Sequence, residues 1–317
     1  MHHKATGVSR VDFHGYSSCV QLDNGHARVV LGRHAGGRVL EYSIGGVNAL
    51  ALDPSQAGWT REAAAASGGA PGIDPWGGRF DVGPEKVTPA HPTLWLGEWS
   101  AEVTENATAR LTSERDPATG LRLVRDFALA EGSTRLTCGQ RIHNESDRTQ
   151  EVCHWGRTLV VGGGIALVPL TSPSRFPRGY VMYDADEPKL NYEPRDPAVV
   201  VTDGMLQVIG APRGPKLGMD STAGWVAYLL TSGALFVKRF PVYPDRVYNE
   251  VAGLTVSLWC DGDRLCEVEP LGPRERLAPG ESASFAEEWW LLPHPFPERR
   301  DALDVGEVVD RVAREAV

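Results

Sequence analysis

Leu121-Arg-Leu-Val-Arg-Asp-Phe-Ala-Leu129, Glu131-Gly132, Thr134-Arg-Leu-Thr-Cys-Gly-Gln-Arg-Ile-His143 and Asn144-Glu-Ser-Asp147 form one continuous stretch of the chain. It reads as two strands parted by turn residues, and each strand is long for an ordinary one. The same pattern extends on both sides. From Glu98 to Arg157 it makes a meander, with Ala107–Ser113 and Glu151–Val161 as further strands and turns at Asn106 and at Asp116-Pro-Ala-Thr-Gly120. Long antiparallel strands in a chain of 317 residues predict large stacked sheets.

The remaining strand signals agree. Ser17–Leu22 and Ala27–Leu31 flank Asp23-Asn24-Gly25, a strong hairpin signal because Asn-Gly accepts positive φ. Arg38–Ile44 and Val47–Leu52 flank Gly45-Gly46, and Trp225–Leu230 and Ala234–Phe240 flank Ser232-Gly233. Leu254–Cys260, Arg264–Glu269 and Ser282–Leu292 complete the set. Helix is scarce: one short alanine-rich helix is expected over Gln56–Ala66. A second is expected over Asp304–Ala316, where Val305, Val308, Val309, Val312 and Ala313 make an apolar stripe at helical spacing, suited to the outside of a sheet. Ser67–Leu94 and Thr171–Ala223 read as long Gly- and Pro-rich loops. The second carries Arg175, Tyr180, Tyr183 and Tyr192, rings suited to stacking on a sugar or to pinning the loop. With no repeat, low-complexity tract or linker-like break, residues 1–317 read as one domain: an all-β β-supersandwich of two large antiparallel sheets.

Composition narrows the partners. The chain is 42% hydrophobic and 23% charged, with net charge −9. No basic run stands out, so nucleic acid is not expected, and no stretch approaches the length of a membrane span. A neutral, polyhydroxylated small molecule suits this balance. The five cysteines, Cys19, Cys138, Cys153, Cys260 and Cys266, include no Cys-x-x-Cys spacing and lie mostly in apolar runs. They are expected as buried free thiols in a reducing, cytoplasmic compartment. The start of the chain has no signal-peptide apolar core. His2-His3 is the only His pair at ligand spacing, so no metal or other cofactor is expected.

The chemistry is concentrated near the C-terminal end, in Leu265-Cys-Glu-Val-Glu-Pro270. At a period of two, Leu265, Glu267 and Glu269 share one strand face, with Cys266 and Val268 on the other. Two neighbouring carboxylates suit a cleft that needs a base or a hydroxyl acceptor; the alternative is a solvated outer face. On the strand Glu151–Val161, His154 shares a face with Val152 and Gly156, while Cys153, Trp155 and Arg157 face the other way. Small neighbours leave room beside the imidazole. Arg79 sits in Trp76-Gly-Gly-Arg79, where glycines let a ligand approach the backbone. Lys238 and Arg239 are adjacent on a strand and must point oppositely. Lys216 and Asp220 close the second long loop.

In their order along the chain these motifs resemble the galactose mutarotase-like, or aldose 1-epimerase-like, superfamily. Gly36-Gly37-Arg38 resembles the family's opening strand, and Trp76-Gly-Gly-Arg79 lies where the family has a substrate-binding arginine. His91 precedes Trp95 and Trp99 as a His-containing loop precedes a tryptophan strand. His154 stands ten residues after Asn144, as the family's catalytic His does, and Glu269-Pro270 followed by Leu277-Ala-Pro-Gly-Glu281 resembles the catalytic Glu and the closing strand. The resemblance implies anomer interconversion, with His154 protonating the ring oxygen and Glu269 removing the anomeric proton. Arg79, His91, Glu267, Lys238, Lys216 and Asp220 would hold the sugar. The chain departs from the family in Cys153-His154-Trp155-Gly156 and in lacking its aspartate over Ala166–Ser174. Two other readings of the same cleft follow: a sugar-binding or sensing module without catalysis, and a lyase acting on uronate polymers, with Arg79 or Lys238 neutralising the enolate.

Overall fold

The computed structural model describes residues 7–66, 74–104, 108–183 and 189–316; the expected turn at Asn106, the His2-His3 pair and the start of the Ser67–Leu94 segment lie outside them. Among the described residues the strands form two antiparallel sheets, of thirteen and ten strands. The thirteen-stranded sheet runs Gly7–Phe13, Tyr16–Asp23, Arg28–Gly32, Arg38–Ile44, Gly78–Gly83, Gln150–Val161, Leu265–Pro270, Val256–Asp261, Lys216–Met219, Tyr180–Tyr183 and Leu190–Asn191, with two short strands alongside. The ten-stranded sheet centres on Ala234–Arg239, Ser282–Pro293, Leu136–Asn144 and Leu121–Leu129. Leu121–Leu129 and Leu136–Asn144 are neighbouring strands of this sheet, with Leu136 opposite Leu129 and Ile142 opposite Leu123.

The segments expected as loops are more regular than their composition suggested. Ser67–Leu94 supplies Gly78–Gly83, which joins Arg38–Ile44 to Gln150–Val161 in mid-sheet. Thr171–Ala223 contributes five short strands. Pairing overrode local composition, because an extended glycine-rich segment placed between two ladders has its backbone groups satisfied on both sides. The first helix is shorter than expected, Arg61–Ala66, because Gly58 is left-handed (φ 70°) and separates it from a single 3-10 turn at Pro54–Gln56. The last helix, Val305–Glu315, packs Val305, Val308, Val312 and Ala316 on the outer face of the ten-stranded sheet, against Leu235, Val237 and Trp290. Val309 and Ala313 turn to solvent, so the stripe is narrower than its spacing implied. No helix among the described residues is long and apolar enough to cross a membrane.

The cysteine expectation needs correction. Cys260 and Cys266 stand opposite each other in adjacent strands and are joined as a disulfide. Cys19, Cys138 and Cys153 are free and buried.

Between the sheets lies a large apolar core that includes Phe80, Phe127, Phe236, Phe285 and Trp289. A buried polar network crosses it. Glu287 accepts hydrogen bonds from Lys238 Nζ (3.0 Å), Trp289 Nε1 (2.8 Å) and Gln140 Nε2 (2.9 Å). Lys238 also donates across the gap to the carbonyl of Val268, at 3.2 Å. Arg125 donates to the carbonyls of Gly37 and Gly78, both at 2.9 Å. Burial works against the Glu287 charge, but Lys238 and the other donors hold its pKa below the ordinary carboxylate value. The desolvation cost of such a pair is offset only while both partners are present. Glu287→Leu alone is therefore expected to lower the unfolding free energy by about 3–5 kcal/mol. The double variant Lys238→Met/Glu287→Leu should recover at least half of that loss in equilibrium urea denaturation. A double variant no more stable than the single one would refute the ion-pair account.

Candidate functional site

Strand alternation dictates what the thirteen-stranded sheet shows on the face turned away from the core. Arg79 and Asp81 pair with Arg157 and Trp155 on the next strand; Leu159 pairs with Glu267, Glu267 with Trp259, and Trp259 with Lys216. These side chains alternate with those that enter the core, and together they build a polar surface over the middle of the sheet. A cavity of about 550 Å³ opens there, with Glu267, Glu269, Arg157, Lys216, Trp76 and Trp259 among its walls.

Glu269 is fully buried on the cleft floor. Its Oε2 accepts from the Trp155 indole N–H at 2.7 Å and lies 4.0 Å from Lys216 Nζ. Its Oε1 is buried and has no hydrogen-bond partner among the described residues. Burial, reinforced by the charge of Glu267, raises its pKa to about 7 against the pull of Lys216, Arg157 and the Trp155 hydrogen bond. Glu267 is held differently: Arg157 grips both its oxygens, at 2.7 and 2.9 Å. Lys216 donates to Glu85 Oε2 at 3.0 Å and sits 4.9 Å from the centre of the Trp155 ring and 5.4 Å from that of Tyr183. Burial disfavours the Lys216 charge, yet Glu269 and Glu85 override it and push its pKa up.

Glu267, Glu269 and Lys216 therefore come together as expected. Arg79 and His91 assemble beside them, outside the cavity wall, around Asp81. His91 Nε2 donates to Asp81 at 2.7 Å and Nδ1 to the Pro89 carbonyl at 2.6 Å. Burial opposes its charge, but Asp81 raises its pKa to about 9, so the ring stays protonated at neutral pH. Arg79 is buried under Trp95 and pairs with Asp74 and Asp81. Asp81 in turn lies 3.8 Å from Arg157.

Three expected residues lie elsewhere. His154 points into the core, on the opposite face of its strand from Trp155 and Arg157. The space its small strand neighbours seemed to leave is filled by Phe80 and Phe285, which stack on either side at 5.5 and 5.6 Å. Its Nε2 donates to the Ala283 carbonyl at 3.2 Å, and burial lowers its pKa to about 3, so it is neutral and sealed from the cleft. Lys238 lies in the core network, while its neighbour Arg239 points out to the Ala316 carbonyl. Asp220 accepts from Ser174 Oγ (2.7 Å) and the Arg175 backbone N–H (2.8 Å) at a different cavity, of about 600 Å³. Trp155, Arg157, Glu85, Trp76 and Trp259 were missed as site residues. For Trp155 and Arg157 the signal was present: the alternation that sets them opposite His154 puts them on the face of Glu267 and Glu269 once the strands are paired.

Several solved structures share this architecture. A galactose mutarotase-like protein from Lactobacillus casei superposes with TM-score 0.57 over 86% of this chain and 100% of its own, at 9% identity. One from Clostridium acetobutylicum gives 0.57 over 91% and 99%, at 10% identity. A galactose mutarotase related enzyme from Lactobacillus acidophilus gives 0.58 over 87% and 98%, at 11% identity. No family model matches the sequence, and no curated protein does. The fold is that of the galactose mutarotase-like proteins; at these identities the likeness carries the architecture and not the chemistry.

The Trp155–Glu269 contact offers a direct reporter. The Trp155 indole N–H resonance should titrate with a midpoint near pH 7 and become independent of pH in Glu269→Gln. Because folding raises this pKa from 4.5 to about 7, the stability it contributes is full below about pH 4.5 and is lost as pH rises through about 7. Thermal melts should therefore show a flatter pH dependence over that window in Glu269→Gln than in the wild type.

Proposed function

We propose that the chain binds a small sugar or oligosaccharide in this cleft and interconverts its anomers by acid/base chemistry. Glu269 supports the reading most directly: a buried carboxylate, poised near neutrality, with one oxygen unpartnered, in the wall of a cavity of sugar size. Oε1 takes the proton of the anomeric hydroxyl. The proton donor to the ring oxygen is Lys216 rather than His154. As Glu269 accepts its proton it loses its charge, and the ammonium 4.0 Å away loses a partner that raised its pKa. Lys216 thus becomes a stronger acid when the ring oxygen needs a proton. The C1–O5 bond breaks, C1=O1 forms, the C1–C2 bond rotates, and closure on the other face returns both protons.

The cleft does not favour a uronate. Asp74, Glu85, Glu267 and Glu269 line it against Arg157, Lys216 and Arg264, and each of these cations already has a carboxylate partner. This argues against the lyase reading. The non-catalytic sugar-binding reading is favoured by one observation, that no histidine among the described residues lines the cavity.

Polarimetry separates the two. The protein should speed the mutarotation of fresh α-glucose or α-galactose. Its kcat/KM should rise with pH through about 7, as Glu269 ionises. Glu269→Gln and Lys216→Met should each lower kcat by about 10²-fold or more. His154→Phe should leave the pH profile unshifted. Sugar binding without any acceleration would leave the sensing module as the function.

A further inference from the structure

The cleft has two chemically different ends. Around Glu269 it is charged, with Lys216, Arg157 and Glu267 close by. Along the same strand face, towards the hairpin tip at Arg264, it becomes apolar and aromatic. Leu159 and Leu265 are buried beneath it, and with Ala51 they form a cluster of their own, apart from the core between the sheets, onto which Trp76 and Trp259 pack. Both tryptophans keep part of their surface open and line the cavity. Trp259 stands opposite Glu267, and Arg264 lies over the Trp76 ring at 5.2 Å.

The chemistry proposed for Glu269 uses nothing at this second end. Leu265 and Glu269 are four residues apart, so the floor between them runs about 13 Å. That is roughly two pyranose rings end to end, in a cavity of about 550 Å³. A pyranose presents C–H faces inside a polar rim, and a partly open tryptophan on an apolar floor offers the complementary surface. We propose that the cleft takes a reducing oligosaccharide in preference to a free monosaccharide: the reducing-end ring sits at Glu269 and the next ring lies on Trp259, Leu265 and Trp76. This rests on the sugar-binding reading above and specifies its substrate class.

Isothermal titration of the full chain with matched pairs tests it: glucose against maltose and cellobiose, galactose against β-1,4-galactobiose, and xylose against xylobiose. The expected result is that, in at least one pair, the disaccharide binds about tenfold or more tightly than the monosaccharide, roughly the worth of one well-formed stacking contact. Trp259→Ala should bring that ratio to within about twofold, while Trp259→Phe keeps most of it. Wild-type circular dichroism and melting behaviour in both variants would show that the fold is intact. Equal affinities in every pair, with a monosaccharide still binding, would overturn the oligosaccharide proposal and leave the sugar site standing. Octyl glucoside binding more tightly than every disaccharide would also overturn it, by making the second end a site for an apolar aglycone. Binding of no sugar at all would overturn both readings together.

Discussion

The Glu287 carboxylate sits between two sheets with three hydrogen-bond donors around it, and the cleft on the far side of the larger sheet depends on it. Lys238 extends this contact to the Val268 carbonyl, the peptide between Glu267 and Glu269. On the neighbouring strand, Glu287 Oε1 lies so close to Gly156 that a Cβ there would come within 1.9 Å of it. Gly156 separates Trp155 from Arg157. One buried ion pair thus bears on the two strands that present Trp155, Arg157, Glu267 and Glu269, at the points between these side chains. In a low-dielectric interior a half-satisfied network costs more than an apolar core, so the two sheets are held to one relative placement.

On the cleft face the charges form a connected series. His91 and Arg79 hold Asp81, Asp81 lies beside Arg157, Arg157 grips Glu267, and Glu267 repels Glu269. The two glutamates are chemically distinct although they are two residues apart on one face. Glu267 is spent on a two-pronged arginine. Glu269 has a single indole donor and a more distant ammonium, and burial dominates its acidity. A buried carboxylate whose acidity is shifted beside specific charge partners in a cleft is a mark of an acid/base site.

Much of this was legible before any coordinates. The long alternating strands, the Asn-Gly and Gly-Gly hairpins and the apolar C-terminal stripe reflect local rules of period and turn geometry, and they survive in the fold. The shared face of Glu267 and Glu269 follows from the period of two within one strand. The glycine-rich strand Gly78–Gly83 was not legible, because nothing local distinguishes it from a loop and its extended state is set by the ladders on either side. The Cys260–Cys266 bridge escaped for a related reason: two cysteines six residues apart meet only because a hairpin places them in register.

His154 shows where the sequence stops. Alternation within its strand correctly set it against Trp155 and Arg157, but which of the two faces meets the other sheet is a property of the pair of sheets. Phe80 and Phe285 fill the space beside its ring, and Phe285 lies 131 residues away in the chain. By itself, then, the sequence determined the long alternating strands, their parity and the presence of a carboxylate pair, since those depend on backbone period and side-chain type. The tertiary structure alone decided that Glu269 and Lys216 share a cleft while His154 and Lys238 are sealed in the core. Burial and cross-strand register are long-range properties, and they arise only when distant segments pack.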